Sequence, residues 1–400
     1  MELKPLPYHE LLCDYLRTEE AEVWRWYTSH QVRAEQAEAV RFELLKSTYR
    51  VARESQPAIY AAAESVAKTF GLEVPITIYQ AQNPQGLNAS LACVPDEALL
   101  TLHGPVTAKL TESELCALLG HEFSHLLLWR YGGGEYLILE QLLAALTHDP
   151  QAGTPHFASA RLWQLYSEIF CDRGALAAVG DPLVVVAMLL KVHTQLAEVS
   201  AESYLRQAEE VLSRGGVRTA ESTHPEAFIR THAIQLWSTA DPAAEAKIRD
   251  LIEGRPVLDN LDLLGQQRVV GLTRRLLDVH LSHRWLQTEL VLAHARRFFE
   301  DYVPPSDPLA DPSLAEDLRT DDPALQDYYC FVLLDFVTAD RDLEELPLAA
   351  ALVLSETLGL RERFGEMVKR ELRLRKKQFE KIDADKERLL AEASKDSHSQ

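Results

Sequence analysis

One stretch near the first third of the chain, Thr111 to Trp129, constrains the fold more than any other. Thr111-Glu-Ser-Glu114 forms a capping box, with Leu110 and Leu115 at the staple positions beside it. A helix started there carries Leu115, Leu118, Glu122, His125 and Trp129 along one stripe at three-to-four spacing. Because that stripe is apolar, Glu122 and His125 must enter the interior, where an unpaired charge costs several kcal/mol. A metal ion would resolve the conflict. His121-Glu-Phe-Ser-His125 supplies the means: imidazoles at i and i+4 project side by side and can share one Zn²⁺. The carboxylate between them reaches the water such an ion holds.

A catalytic zinc site takes three protein ligands and leaves the fourth position to water. The extended motif that brings a third His from the same segment is excluded, because position 128 is Leu and position 131 is Tyr. The third ligand then comes from a second helix. Leu165, Glu168, Ile169, Asp172 and Leu176 form another apolar stripe with two carboxylates embedded four residues apart. Two buried acids repel each other and lose hydration unless a cation lies near. Glu168 as ligand, with Asp172 accepting a hydrogen bond from a ligand His, satisfies both. Glu135 and Glu140 compete, but neither has a partner acid at i+4, and Glu135 follows a glycine loop, Gly132 to Gly134. Cys171 lies between the two acids and is read as turning off their face into the core.

Most of the remaining chain carries helical periodicity, including Glu35 to Arg53, which holds no Gly or Pro. Val74-Pro-Ile-Thr-Ile-Tyr-Gln80 is rich in β-branched residues and precedes the turn-prone Asn83-Pro-Gln-Gly86; Leu87 to Val94 and Leu99 to His103 read as further short strands. The expected fold class is mainly α with a small β-sheet, an α+β catalytic-type domain, followed by an all-α module. Four prolines in Val303 to Pro312 mark the clearest linker, and Glu253-Gly-Arg-Pro256 a softer boundary. The expected division is an N-terminal helical segment (1–50), the domain holding the motifs (51–240), a helical connector (256–302), the linker (303–312), a helical module (313–372) and a charged tail (373–400). The last forty residues hold 12 Lys/Arg against 9 Asp/Glu, so the tail reads as a solvated helix.

Lys and Arg total 41 against 61 Asp and Glu, a net charge of -20, which argues against nucleic acid or anionic lipid as a partner. The five cysteines, Cys13, Cys93, Cys116, Cys171 and Cys330, are odd in number and scattered, which fits a reducing compartment. The first residues, interrupted by Pro5, Pro7, His9 and Glu10, do not form a signal peptide. The longest apolar run, Pro182 to Leu190, is about half the ~20 residues of a bilayer crossing. A soluble, cytoplasmic protein without a membrane span is expected.

Four ordered motifs carry a resemblance: Asn88-Ala-Ser90, Glu114 through His125, Ser167-Glu-Ile-Phe-Cys-Asp-Arg173, and Ser222-Thr-His-Pro225 with Arg230. Over roughly residues 50 to 240 the chain resembles metallopeptidase family 48, the gluzincin group of HtpX and the CAAX prenyl proteases. The resemblance implies a zincin-type domain in which His121, His125 and Glu168 bind one Zn²⁺ per chain and Glu122 is the general base. It implies that Asp172 orients the site, that His224 stabilises the oxyanion, and that Arg230 supports the site. Asn88, Ala89 and Ser90 would belong to the edge strand on which a substrate peptide lies extended. The residues themselves leave His232 as a substitute for His224. Lacking a spanning helix, the chain departs from the membrane-bound members, which puts a prenylated or membrane-embedded substrate in doubt.

Asp327 to Glu345, continuing to Leu360, resembles a TerB-like helical module of the tellurite-resistance type, a candidate recruiter of a protein partner. An EF-hand is set aside, since its sixth position is Glu345 in place of Gly and its twelfth is Ala351. Asp340 and Asp342 then read as caps of the next helix, with a divalent-ion site as the sharper alternative. Two functions follow: a soluble zinc-dependent endopeptidase acting on protein or peptide, or a catalytically weak peptide-binding adaptor on the same fold. An intact Glu122 favours the enzyme, because a pure binder needs no base there.

Overall fold

The computed structural model describes residues 3–28, 30–82, 86–92, 94, 96–150, 152–220, 223–306 and 309–396, without the side chains of residues 30–36 and 396. Asn83, Cys93, Ser222, the middle of the proline stretch (307–308) and the last four residues therefore lie outside the described part. The chain forms two compact units, Met1–Gly254 with Asp262–Leu264, and Arg255–Leu261 with Gly265–Gln400.

The first unit opens with helices α1 (Pro7–Glu19), α2 (Ala21–Tyr27) and α3 (His30–Ser47), then β1 (Thr48–Arg50) and α4 (Pro57–Thr69). Strands β2 (Ile76–Ala81), β3 (Asn88–Leu91) and β4 (Ala98–His103) complete one sheet of order β1-β2-β4-β3. β2 and β4 run parallel at its centre, and β1 and β3 are antiparallel edges. The short α5 (Val106–Lys109) leads into α6 (Glu112–Arg130), followed by α7 (Glu135–Leu146), α8 (Thr154–Val179), α9 (Pro182–Thr194), α10 (Ala201–Ser213), α11 (Ala227–Ser238) and α12 (Ala244–Ile252). The mainly α fold with a small mixed sheet is the class expected. Residues 48–50 differ from the helical expectation for Glu35 to Arg53. The hydroxyls of Ser47 and Thr48 bond back to the carbonyls of Glu43 and Leu44, offering the backbone an exit from the helix, and Val51 N–H continues the pairing onto Ile78.

Two helices position everything that follows. At the start of α6 the capping box is formed, Glu114 N–H donating to Thr111 Oγ1 (3.3 Å) and Thr111 N–H to Glu114 Oε2 (2.8 Å). α6 then crosses α8 with only the small side chains of Ser124 and Ala178 at the closest approach. A Cβ on Gly174 would sit 1.7 Å from Ser124 Oγ, and one on Gly120 would sit 2.6 Å from the Ala178 Cβ. Only glycine permits that approach, and it brings the residues after Gly120 against those before Gly174.

The second unit consists of α13 (Leu263–His280, whose first two residues belong to the first unit), α14 (Glu289–Phe298), α15 (Leu314–Asp317), α16 (Pro323–Val337), α17 (Leu346–Thr357), α18 (Arg361–Glu371) and α19 (Lys376–Asp396). Two expectations are corrected here. The proline stretch is no open linker: Gln287 Nε2 donates to the Pro305 carbonyl (2.9 Å), and Arg275 pairs with Asp311 and Asp317 at 2.8 Å each. Tyr302, Leu314 and Leu318 on its flanks are buried in one core with Leu272, Leu276 and Leu277 of α13. The compact units instead part at Gly254–Arg255, the boundary that read as the softer. The charged tail is no mere solvated helix either. Phe379 and Ile382 of α19, one turn apart, join the same core, and Lys386 pairs with Glu356 of α17 at 2.8 Å.

Candidate metal centre

On α6, His121 and Glu122 are buried and His125 nearly so; on α8, Glu168 and Asp172 are buried opposite them. His121 Nδ1 lies 3.1 Å from Asp172 Oδ1, which leaves Nε2 facing Glu168 Oε2 at 3.4 Å. His125 Nε2 lies 3.6 Å from the other oxygen, Glu168 Oε1. α11 adds Arg230, which grips Asp172 with two hydrogen bonds, Nε to Oδ2 (2.7 Å) and Nη2 to Oδ1 (2.6 Å), and reaches Glu168 Oε2 at 3.3 Å. That fork fixes the carboxylate that in turn orients His121. His224, on the loop before α11, brings Nε2 to 3.6 Å from Glu168 Oε1, while its Nδ1 meets Thr223 Oγ1 at 2.9 Å. His224 is half-exposed, at the open side of the cluster.

The electrostatics are those of a crowded, dry site. Burial opposes charge on His121, but Glu168 and Asp172 outweigh it and push this imidazole up to about 10. Burial lowers His125 to about 4. Burial also lifts Glu122 to about 8, against His121, Arg230 and a hydrogen bond from the Leu91 backbone amide of β3. Glu168 and Asp172 are held below the usual carboxylate range despite burial, Glu168 chiefly by His121 and Asp172 chiefly by Arg230. Two acids thus stay ionised in the interior, as a bound cation requires.

The donors suit a small divalent ion. Tetrahedral bonds of about 2.0–2.1 Å keep ligand atoms roughly 3.3 Å apart, and each imidazole Nε2 is near that spacing from a different oxygen of Glu168, His121 at 3.4 Å from Oε2 and His125 at 3.6 Å from Oε1. A second set is also within reach: the Cys171 sulfur and ring nitrogens of His121 and His125 all lie within 4.8 Å of one another. Cys171 is buried in the core as expected, yet it does not turn away from the site. At three residues from Glu168 it stays on nearly the same face of α8.

The competing acids are engaged elsewhere. Glu135 pairs with Arg17 at 3.2 Å, and Glu140 accepts from the Trp163 indole. His232 has Lys247, Asp241 and Glu209 as its charged neighbours, so the structure does not bring it to the cluster. β3, with Asn88, Ala89 and Ser90, is a sheet edge, and Ser90 Oγ meets His103 Nε2 at 3.0 Å. Sequence reasoning missed Lys191 of α9, which forms a buried pair with Glu114 at 2.8 Å; a lysine closing an otherwise apolar helical run was its signal. In the second unit Asp340 caps the turn before α17, accepting from Asp342 N–H at 3.0 Å.

The chain is similar to the plastoglobule-localized metallopeptidase 48 of Arabidopsis thaliana, a chloroplastic protein, at 25% identity over 190 residues. The match covers 43% of this chain and 54% of the relative, so the chain spans about half the length of the curated relative it matches. No protein-family model and no solved structure matches it. Among the described residues no helix is long and apolar enough to cross a membrane.

Proposed function

We propose that the chain is a zinc-dependent endopeptidase of the gluzincin type, with His121, His125 and Glu168 holding one Zn²⁺. The observation that carries this reading is the Glu168 carboxylate, one oxygen of which lies 3.4 Å from His121 Nε2 and the other 3.6 Å from His125 Nε2. The similarity to a metallopeptidase supports it. Bound there, zinc supplies Lewis acidity toward a scissile carbonyl and makes water more acidic. Glu122, lifted by burial toward neutral pH, takes a proton from the attacking water and passes it to the leaving amine. Asp172 and Arg230 hold His121 in the tautomer that presents Nε2. His224, at the open side, donates to the developing oxyanion. The free edge of β3 pairs with an extended substrate backbone at Asn88, Ala89 and Ser90, and the Leu91 amide ties that strand to Glu122. The TerB-like part of the second unit recruits a partner.

Purified protein should carry one zinc per chain and cleave an unfolded protein until a chelator is added. Glu168→Ala should release the metal far more readily than Glu140→Ala. The reverse order would overturn the ligand assignment.

A further inference from the structure

Cys171 stands where the proposed mechanism has no use for it. Its side chain is fully buried, three residues beyond Glu168. Its sulfur nonetheless shares a 4.8 Å cluster with ring nitrogens of both histidines. The His121 Nδ1 is already committed to Asp172, so the nitrogen free for a third party is the one that faces Glu168. Two imidazoles therefore have two possible third donors on consecutive turns of one helix. One is a hard carboxylate and the other a soft sulfur, while imidazole accepts ions of either kind.

We propose that Cys171 is a metal-selecting donor of this centre, completing with His121 and His125 a second coordination set that takes thiophilic divalent ions. This rests on the zinc reading above and adds to it. Both sets use the same histidines, so one ion is held at a time. Harder ions take Glu168, and softer ions draw in the sulfur. On the second route the S–H bond breaks as the sulfur–metal bond forms, and the proton leaves to solvent. With sulfur engaged, Glu168 is free to return to Arg230, which already lies 3.3 Å from it.

Cadmium is the probe, because a cadmium–thiolate bond absorbs in the ultraviolet by charge transfer and a cadmium–carboxylate bond does not. Full-length protein loaded with one Cd²⁺ should show the band, and Cys171→Ser should lose it. In chelator competition the preference for Cd²⁺ over Zn²⁺ should fall in that variant by roughly the 10–100-fold that even outer-shell partners of metal ligands contribute. Cys171→Ala, which shortens the side chain without adding a hydroxyl, should behave the same way if serine disturbs the fold. Cd²⁺ binding without the band, or a band that survives in both variants, overturns the proposal and leaves the zinc reading standing. If wild-type protein binds neither Zn²⁺ nor Cd²⁺, the zinc reading fails and this proposal fails with it.

Discussion

The two units are stabilised by different means. The first buries Glu114, His121, Glu122, Glu168, Asp172, Lys191 and Arg230 within or beside its core, each facing an opposite charge or a hydrogen-bond partner. The second fills its core with Leu, Val, Phe and Met beside two tyrosines and a cysteine, and among its described residues His280 and the turn-capping Asp340 are the only buried ones of the types Asp, Glu, His, Lys and Arg. Burying charge is a poor route to stability, since desolvation offsets most of the attraction. A unit that does so repeatedly around one point has been shaped by something other than stability. The contrast separates the candidate chemistry from its surroundings without reference to any relative.

Truncation tests this division most severely. A chain ending at Asp301 strips α13 of its partners in α16 to α19 and leaves Leu272, Leu276 and Leu277 uncovered; it should aggregate. A chain ending after Leu264 keeps the Leu263 N–H bond to Ser159 Oγ and should stay folded with its metal. Gel filtration with metal analysis decides, and a well-behaved 1–301 chain together with an unfolded 1–264 chain would erase the boundary. Next in size is Glu122→Gln, which should keep zinc and lose about 10²–10⁴-fold in hydrolysis of an unfolded substrate. Undiminished turnover would move the activity away from the buried charges of the first unit.

Smaller effects compare ion pairs. Lys191→Met leaves Glu114 buried without its cation and should cost about 3 kcal/mol in denaturant unfolding. Arg361→Met breaks a half-buried pair with Asp383 in the second unit and should cost no more than about 1 kcal/mol. Equal losses would void the contrast. The last concerns pH. Burial lowers His280 to about 3, below the ordinary 6.5, so the unfolded chain binds one more proton between those values. Stability of the second unit should therefore be level above pH 6.5 and fall as pH drops toward 3. His280→Leu should remove roughly 1.4 kcal/mol per pH unit from that slope in equilibrium unfolding.

What could be read in advance was whatever one helix encodes locally. The capping box at Thr111, the inward face of α6 and the paired acids of α8 are each a matter of spacing along a single element, and the structure brings those residues together. What could not be read depends on contacts between distant segments. β1 is three residues long, too short for a periodic signal, and exists because β2 offers it an edge. Prolines at 303–312 stop a helix but do not reveal that Arg275 and Gln287 hold the stretch down. The α19 helix looks solvated because charges outnumber the two residues, Phe379 and Ile382, that dock it. Arg230 stood out only through the resemblance; nothing in its own neighbourhood announces a partner 58 residues away.

The glycine crossing of α6 and α8 has a mechanical meaning. Gly174 lies six residues beyond Glu168, about 9 Å along the helix axis, while Gly120 directly precedes His121. With each glycine set close against the other's carbonyl oxygen and against the short side chains of Ser124 and Ala178, the gap between imidazoles and carboxylate is gauged by small, stiff parts. A single methyl group at Gly174 would act as a shim at the fulcrum, tilting α8 and carrying Glu168 along the longer arm. The centre is thus set like a caliper: its opening is decided at the pivot, several residues from the jaws.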